Sequence, residues 1–292
     1  MSTLTFANQN TDWASTSNWG GAAPATGDTV RIFQGDTELT GSMAQSGVNL
    51  AELNIGPGFR GRLGSPGDPL YIDADLIRIN APYAKSINIR PVSCPAMYVD
   101  GANIADAGVF LHSGTVTKLY ASAAGMLRIG AATISEIIAA KTQDAPGADL
   151  NISVEAGATL TTVRLRAAYF RTLSTVATSL LADASTIDFR ADSATLAALT
   201  MQGASLFRWN GNGSTITLAT IYGGLFDARE ILDPRTLTNS EVWAGAIMNL
   251  GGSACNVTVS NNVKRFGGRI FGTNAITNYI EEASTLGSSV GA

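Results

Sequence analysis

From about Val30 onward, apolar and polar residues alternate in short runs. Leu150-Asn151-Ile152-Ser153-Val154, Thr162-Val163-Arg164-Leu165-Arg166, Ile187-Asp188-Phe189, Thr215-Ile216-Thr217-Leu218 and Asn256-Val257-Thr258-Val259 all follow this period of two. Such alternation buries one face of a strand and wets the other, so the chain reads as a succession of short strands. Ala132 to Lys141, with Ile134, Ile137 and Ile138, fits a short helix or a strand, because β-branched isoleucine suits either pattern at this spacing.

A longer period lies over the short one. An apolar group, a glycine and a second apolar group recur as Met201-Gln202-Gly203-Ala204-Ser205-Leu206-Phe207, Ile221-Tyr222-Gly223-Gly224-Leu225-Phe226, Val242-Trp243-Ala244-Gly245-Ala246-Ile247-Met248 and Phe266-Gly267-Gly268-Arg269-Ile270-Phe271. Gly203, Gly223, Gly245 and Gly267 are spaced by 20, 22 and 22 residues. A repeat of that length is a solenoid period, with two or three short strands per coil and tight corners between them. The fold expected is all-β: a right-handed parallel β-helix with coils of about 20–22 residues over 30–272, preceded by an N-terminal arm or cap (1–29) and followed by a C-terminal tail (273–292). Roughly 11 coils would stack to about 50 Å at the spacing of paired strands.

Composition agrees with that architecture. Charged residues make up 14% of the 292, and the net charge is −4; ordinary soluble domains carry roughly 25%. An apolar interior and neutral Thr, Ser and Asn ladders outside need few charges. With a pI near 5.0 the chain has no general attraction for nucleic acid, and its densest basic run, Arg164, Arg166 and Arg171, reads as the solvent side of a strand. No apolar stretch reaches the length needed to span a bilayer, and Met1 to Asn8 lacks the pattern of a secretory signal, so no membrane partner is expected. Cys94 and Cys255 have neither a metal spacing nor that of a disulfide framework, and read as buried free thiols of a protein made in a reducing cytoplasm.

Residues 13–32 are the most distinctive segment: Trp13, the pair Asn18-Trp19, Gly20-Gly21, Pro24, then Gly27-Asp28 leading into Val30-Arg31-Ile32. The indoles suit a lid over the end of an apolar stack, and Pro24 to Asp28 is turn chemistry. This pattern resembles the opening of β-helical proteins of two sorts, bacterial surface adhesins and tailed-phage virion proteins of the head-decoration or head-fibre type. Gln45 to Ile55, followed by the glycine-rich Gly56 to Gly64, is similar to the phage group. That resemblance implies a capsid decoration protein, a homotrimer on the exterior of a phage head that contacts the major capsid protein and is made in the host cytoplasm. The alternative is a tailspike or receptor-binding protein that recognises or cleaves host surface glycans.

The catalytic inventory is sparse. His112 is the single histidine and has no ligand partners at metal spacing, and neither a nucleophile elbow nor a phosphate-binding loop occurs, so no enzyme activity, metal or cofactor is expected. Asp188, Arg208 and Asp227, at steps of 20 and 19 residues, are expected to stack on successive coils. Two carboxylates two coils apart approach the separation used by inverting glycosidases, but a structural Asp/Arg/Asp ladder accounts for the same spacing. Trp13, Trp19, Trp209, Tyr222 and Trp243 are the candidates for an inter-subunit interface, since aromatics are enriched there.

Overall fold

The computed structural model describes residues 1–102, 108–122, 125–141, 150–230, 234–251, 256–272 and 276–281. Cys255 and the tail from residue 282 lie outside the described residues. The chain is all-β with almost no helix, a parallel β-solenoid of about 11 turns. It divides into two compact units, Met1–Thr161 and Thr162–Ala292. Among the described residues no helix is long and apolar enough to cross a membrane.

In the first unit, alternation becomes stacking. The parallel register places Val30, Leu53, Ile77, Met97, Leu119 and Ile137 one above another on consecutive turns. Two residues further along the same strands runs a second column, Ile32, Ile55, Ile79, Val99, Ala121 and Ala139. A facing wall is built from Leu63, Ile87, Val109, Leu127 and Ile152. All of these side chains are buried. Each large one contributes about 1.5–3 kcal/mol by leaving water, so the columns supply the driving force that individually short strands lack.

The ambiguous stretch after Ala132 is a strand, part of Gly125–Ala140, and its burial alternates along the chain. Ile134 and Ile137 enter the core while Ile138 pairs with Tyr120 on the outer side. Neighbouring turns override the weak local preference, because Val116 and Leu119 offer a ladder that a helix could not use.

The second unit repeats the scheme with aromatic residues. Phe170, Ile187, Phe207, Phe226 and Met248 form one buried column. Within it Phe207 and Phe226 stack with ring centroids 5.4 Å apart. Thr195, Thr215, Thr236 and Thr258 make an outward ladder, as the composition suggested. Turn length varies: Leu206 pairs with Leu225 and Leu225 with Ile247, so successive turns take 19 and 22 residues. The expected Gly223 lines up with Gly245 by register, and the left-handed conformation of that corner is taken by the next residue, Gly224, with φ 83°. A Cβ on Gly224 would lie 2.0 Å from the Ser205 carbonyl oxygen, which leaves room for no other residue.

Both ends of the expected solenoid shift outward. Thr3–Thr5 pairs in parallel with Thr29–Gly35, and Ile276–Glu281 pairs with Val257–Phe266, so pairing begins before residue 30 and continues past Gly272. Short strands of this kind carry little periodicity of their own. They form because the neighbouring strand presents unpaired backbone groups.

Candidate functional site

The N-terminal signature folds around one amide. Asn18 is fully buried, and its Oδ1 accepts from the backbone N–H groups of Gln9 (2.9 Å) and Asn10 (3.0 Å). Its Nδ2 donates to the carbonyl oxygens of Asn10 (3.0 Å) and Asp12 (2.8 Å) and to Asn10 Oδ1 (3.0 Å). Beside it, Trp19 donates its indole N–H to the Trp13 carbonyl (2.6 Å), and the two indoles lie 5.0 Å apart. Phe6 bridges this pair to the solenoid core, 5.6 Å from Trp19 and 6.5 Å from Phe59. Asp28 accepts from both the backbone and hydroxyl of Ser2 at 2.8 Å, which ties the start of the chain to the first turn. The Ser2 backbone hydrogen bond, first among several donors, holds the Asp28 carboxyl below its ordinary pKa.

Three interface candidates are therefore corrected. Trp13, Trp19 and Trp209 are buried within the chain itself and offer no surface to a partner. Trp209 donates its indole N–H to Ser214 Oγ (2.7 Å) and packs edge-on against Phe226. Tyr222 and Trp243 do form an outer column with Phe266: Tyr222 is 47% exposed, its ring centroid lies 5.5 Å from Trp243, and Trp243 stacks on Phe266 at 4.2 Å. Leu225 and Ile247, paired on neighbouring turns just beyond the same corner, are half-buried.

The Asp/Arg ladder runs as expected and extends further, through Arg171, Asp188, Arg208, Asp227 and Asn249. Its carboxylates are engaged. Asp188, 3% exposed, accepts from Arg190 Nε (2.7 Å) and Asn210 Nδ2 (3.0 Å). Asp227 accepts from Arg229 Nε (2.8 Å) and Nη2 (2.7 Å), and that hydrogen bonding lowers its pKa. A general acid needs a carboxyl whose pKa is raised toward the working pH, and Asp227 is shifted the other way. Arg190 and Arg229 thus engage the two carboxylates as structural partners.

His112 is held in place by Asn88. Asn88 Nδ2 donates to the Gly64 carbonyl and to Ser86 Oγ, so its Oδ1 faces His112 Nε2 at 3.0 Å and accepts that proton. Loss of solvent lowers the imidazole pKa, the nearby Glu155 and Arg128 acting in opposite directions. Among the described residues no group of three or more His, Cys, Asp or Glu side chains is placed to hold a metal. On the strand Thr159–Arg166, Arg164 and Arg166 point outward as expected.

The Cys94 thiol is buried 3.1 Å from the Ala96 carbonyl, and burial raises its pKa to about 12. In a Cys255→Ser variant, the native protein should therefore consume no thiol reagent at pH 8 over an hour, and about one equivalent after denaturation. Rapid native labelling, read by mass spectrometry, would contradict the closed packing around Cys94.

The sequence pattern marks Asn18 only as half of the Asn18-Trp19 pair, without its buried hydrogen-bonding role, and does not mark Arg235 at all. The Arg235 guanidinium is buried, donates to the carbonyl oxygens of Trp209 and Ala228 and lies 5.3 Å from the Trp209 ring. Nothing in the local pattern around Arg235 marks it as internal. Searches of protein-family models, of curated proteins and of solved structures return no match to this chain.

Proposed function

We propose that the protein is a structural component of a bacteriophage virion, a capsid decoration or head-fibre protein that binds the head exterior as a homotrimer. The observation that carries this reading is the outer surface of the second unit. There the Tyr222, Trp243 and Phe266 column runs beside Leu225 and Ile247, and the strands that lead into it present a neutral threonine ladder near their starts. An apolar strip on a chain with only 14% charged residues favours association with another flat surface. Closed three-fold packing would cover it without leaving an open, polymerising contact. The likeness of residues 13–32 to phage β-helical proteins supports the same assignment. Many modest contacts repeated over a capsid would then add by avidity.

Light scattering coupled to size exclusion tests the oligomer: a particle of three times the 30.2 kDa chain mass is expected at micromolar concentration. Trp243→Ser should shift it toward monomer with unchanged far-UV circular dichroism. Cosedimentation with purified phage heads tests the partner. A monomer that also fails to bind heads would overturn the proposal.

A further inference from the structure

The strands that carry Trp243 and Phe266 also present unspent hydrogen-bonding groups just before that column. Thr217, Leu218, Asn239, Glu241, Asn262 and Lys264, with the buried Ser240, line a groove of about 400 Å³. The parallel register makes its pattern regular: Leu218, Asn239 and Asn262 occupy one row on successive turns, and Glu241 is directly paired with Lys264 in the next. Adjacent positions in each row are thus about 4.8 Å apart along the stack.

The side chains of Thr217, Asn239, Glu241, Asn262 and Lys264 make no hydrogen bond or ion pair with another described residue, and the sixth polar lining residue, Ser240, is buried beneath them. Elsewhere on the molecule comparable groups are engaged. Asn54 donates to Glu52, Glu52 meets Arg78 at 3.3 Å, and Asn210 donates to Asp188. Glu241 and Lys264 have opposite charges on register-paired positions, where a cross-strand pair would add about 0.2–1 kcal/mol, yet they do not close an ion pair. The groove keeps its donors and acceptors apart, with Asn239, Glu241, Asn262 and Lys264 half-buried and Thr217 exposed.

The chemistry of the set selects a ligand class. Each amide offers two donors and an acceptor, the carboxylate accepts, the ammonium donates, and the threonine hydroxyl does both. Anions would meet Glu241 and cations Lys264, whereas a neutral polyhydroxylated molecule satisfies all five at no charge cost. Leu218, 38% exposed, adds an apolar contact for ring C–H groups. The volume falls within the roughly 300–1,000 Å³ of small-molecule sites. We propose that this groove binds a neutral oligosaccharide of hexose or N-acetylhexosamine units through Asn239, Asn262, Glu241 and Lys264. The site adjoins the aromatic column, Glu241 and Lys264 lying two residues before Trp243 and Phe266 on the same strands, but it does not depend on the virion assignment.

The test uses the full-length chain with maltohexaose, cellohexaose and the hexamer of β-1,4-linked N-acetylglucosamine, followed by saturation-transfer NMR and titration calorimetry. At least one should bind, and the Asn239→Ala/Asn262→Ala double variant should weaken it tenfold or more. Glu241→Gln, which keeps shape and removes only charge, should weaken it several-fold, a check that survives if the double variant folds poorly. Binding by none of the three at millimolar concentration, or affinity unchanged in a folded variant, would overturn the proposal. So would equal binding of polygalacturonate, an acidic chain. Particle mass measured in parallel separates the two readings: a trimer that binds no sugar loses only this one, and a monomer that binds sugar loses only the oligomer.

Discussion

Replacing Asn18 with alanine is expected to destabilise the N-terminal turns by roughly 3–5 kcal/mol, the range for removing the centre of a buried hydrogen-bond network. Five side-chain hydrogen bonds are lost together, and the backbone groups of Gln9, Asn10 and Asp12 are left facing a void. Net hydrogen-bond contributions of about 1 kcal/mol each understate the effect, since the partners cannot all reach water. Trp19 would loosen next, because its indole N–H depends on the position of the Trp13 carbonyl that this loop sets. A solenoid is stabilised turn by turn, so the damage should be local. Hydrogen exchange should accelerate first in Thr3–Thr5 and Thr29–Gly35, with the second unit unchanged. Asn18→Asp separates packing from donation: it preserves volume but aims an oxygen at the Asn10 and Asp12 carbonyls, and should destabilise nearly as much at pH 7. Wild-type exchange rates in either variant would show that the amide merely fills space.

Gly114→Ala should be comparably severe, costing about 3 kcal/mol or more from backbone strain and overlap together. The strand Val109–Ala121 turns from one wall of the solenoid to the next near Gly114, whose φ is 104°. An added Cβ would sit 1.6 Å from the Pro91 carbonyl oxygen on the turn below. The backbone itself must move, and with it the ladder that joins this strand to Gly125–Ala140. A lowered urea midpoint with a normal slope is the expected signature. Gly47→Ala is the control: nothing lies within 4 Å of its Cβ position, and the midpoint should barely change.

Much of the fold is legible in the chain because it depends on short separations. Alternation in Leu150–Val154 and Thr159–Arg166 needs only the pleat of a strand, and both segments are strands. The stacking of Asp188, Arg208 and Asp227 follows from their spacing once a coil of about 20 residues is granted. The burial of individual aromatics is less legible. Trp209 and Trp243 both read as interface candidates, yet one is enclosed by Phe226 and Ser214 while the other lies on the outer column. A one-residue change in register moves a side chain to the opposite face, and turn lengths here vary by more than that.

The sequence by itself determined the class of structure, the approximate coil length, the neutral threonine exterior and the Asp/Arg ladder. All four are properties of periodicity, which needs no knowledge of distant contacts. Only the tertiary structure decided that Asn18 closes the N-terminal cap, that Gly224 makes the corner beside Tyr222, that Arg235 is internal, and that Asn239, Glu241, Asn262 and Lys264 share a groove. Each of these depends on the accumulated length of the preceding turns, and on which backbone groups remained unpaired when the neighbouring strand docked. Local preference carries neither quantity.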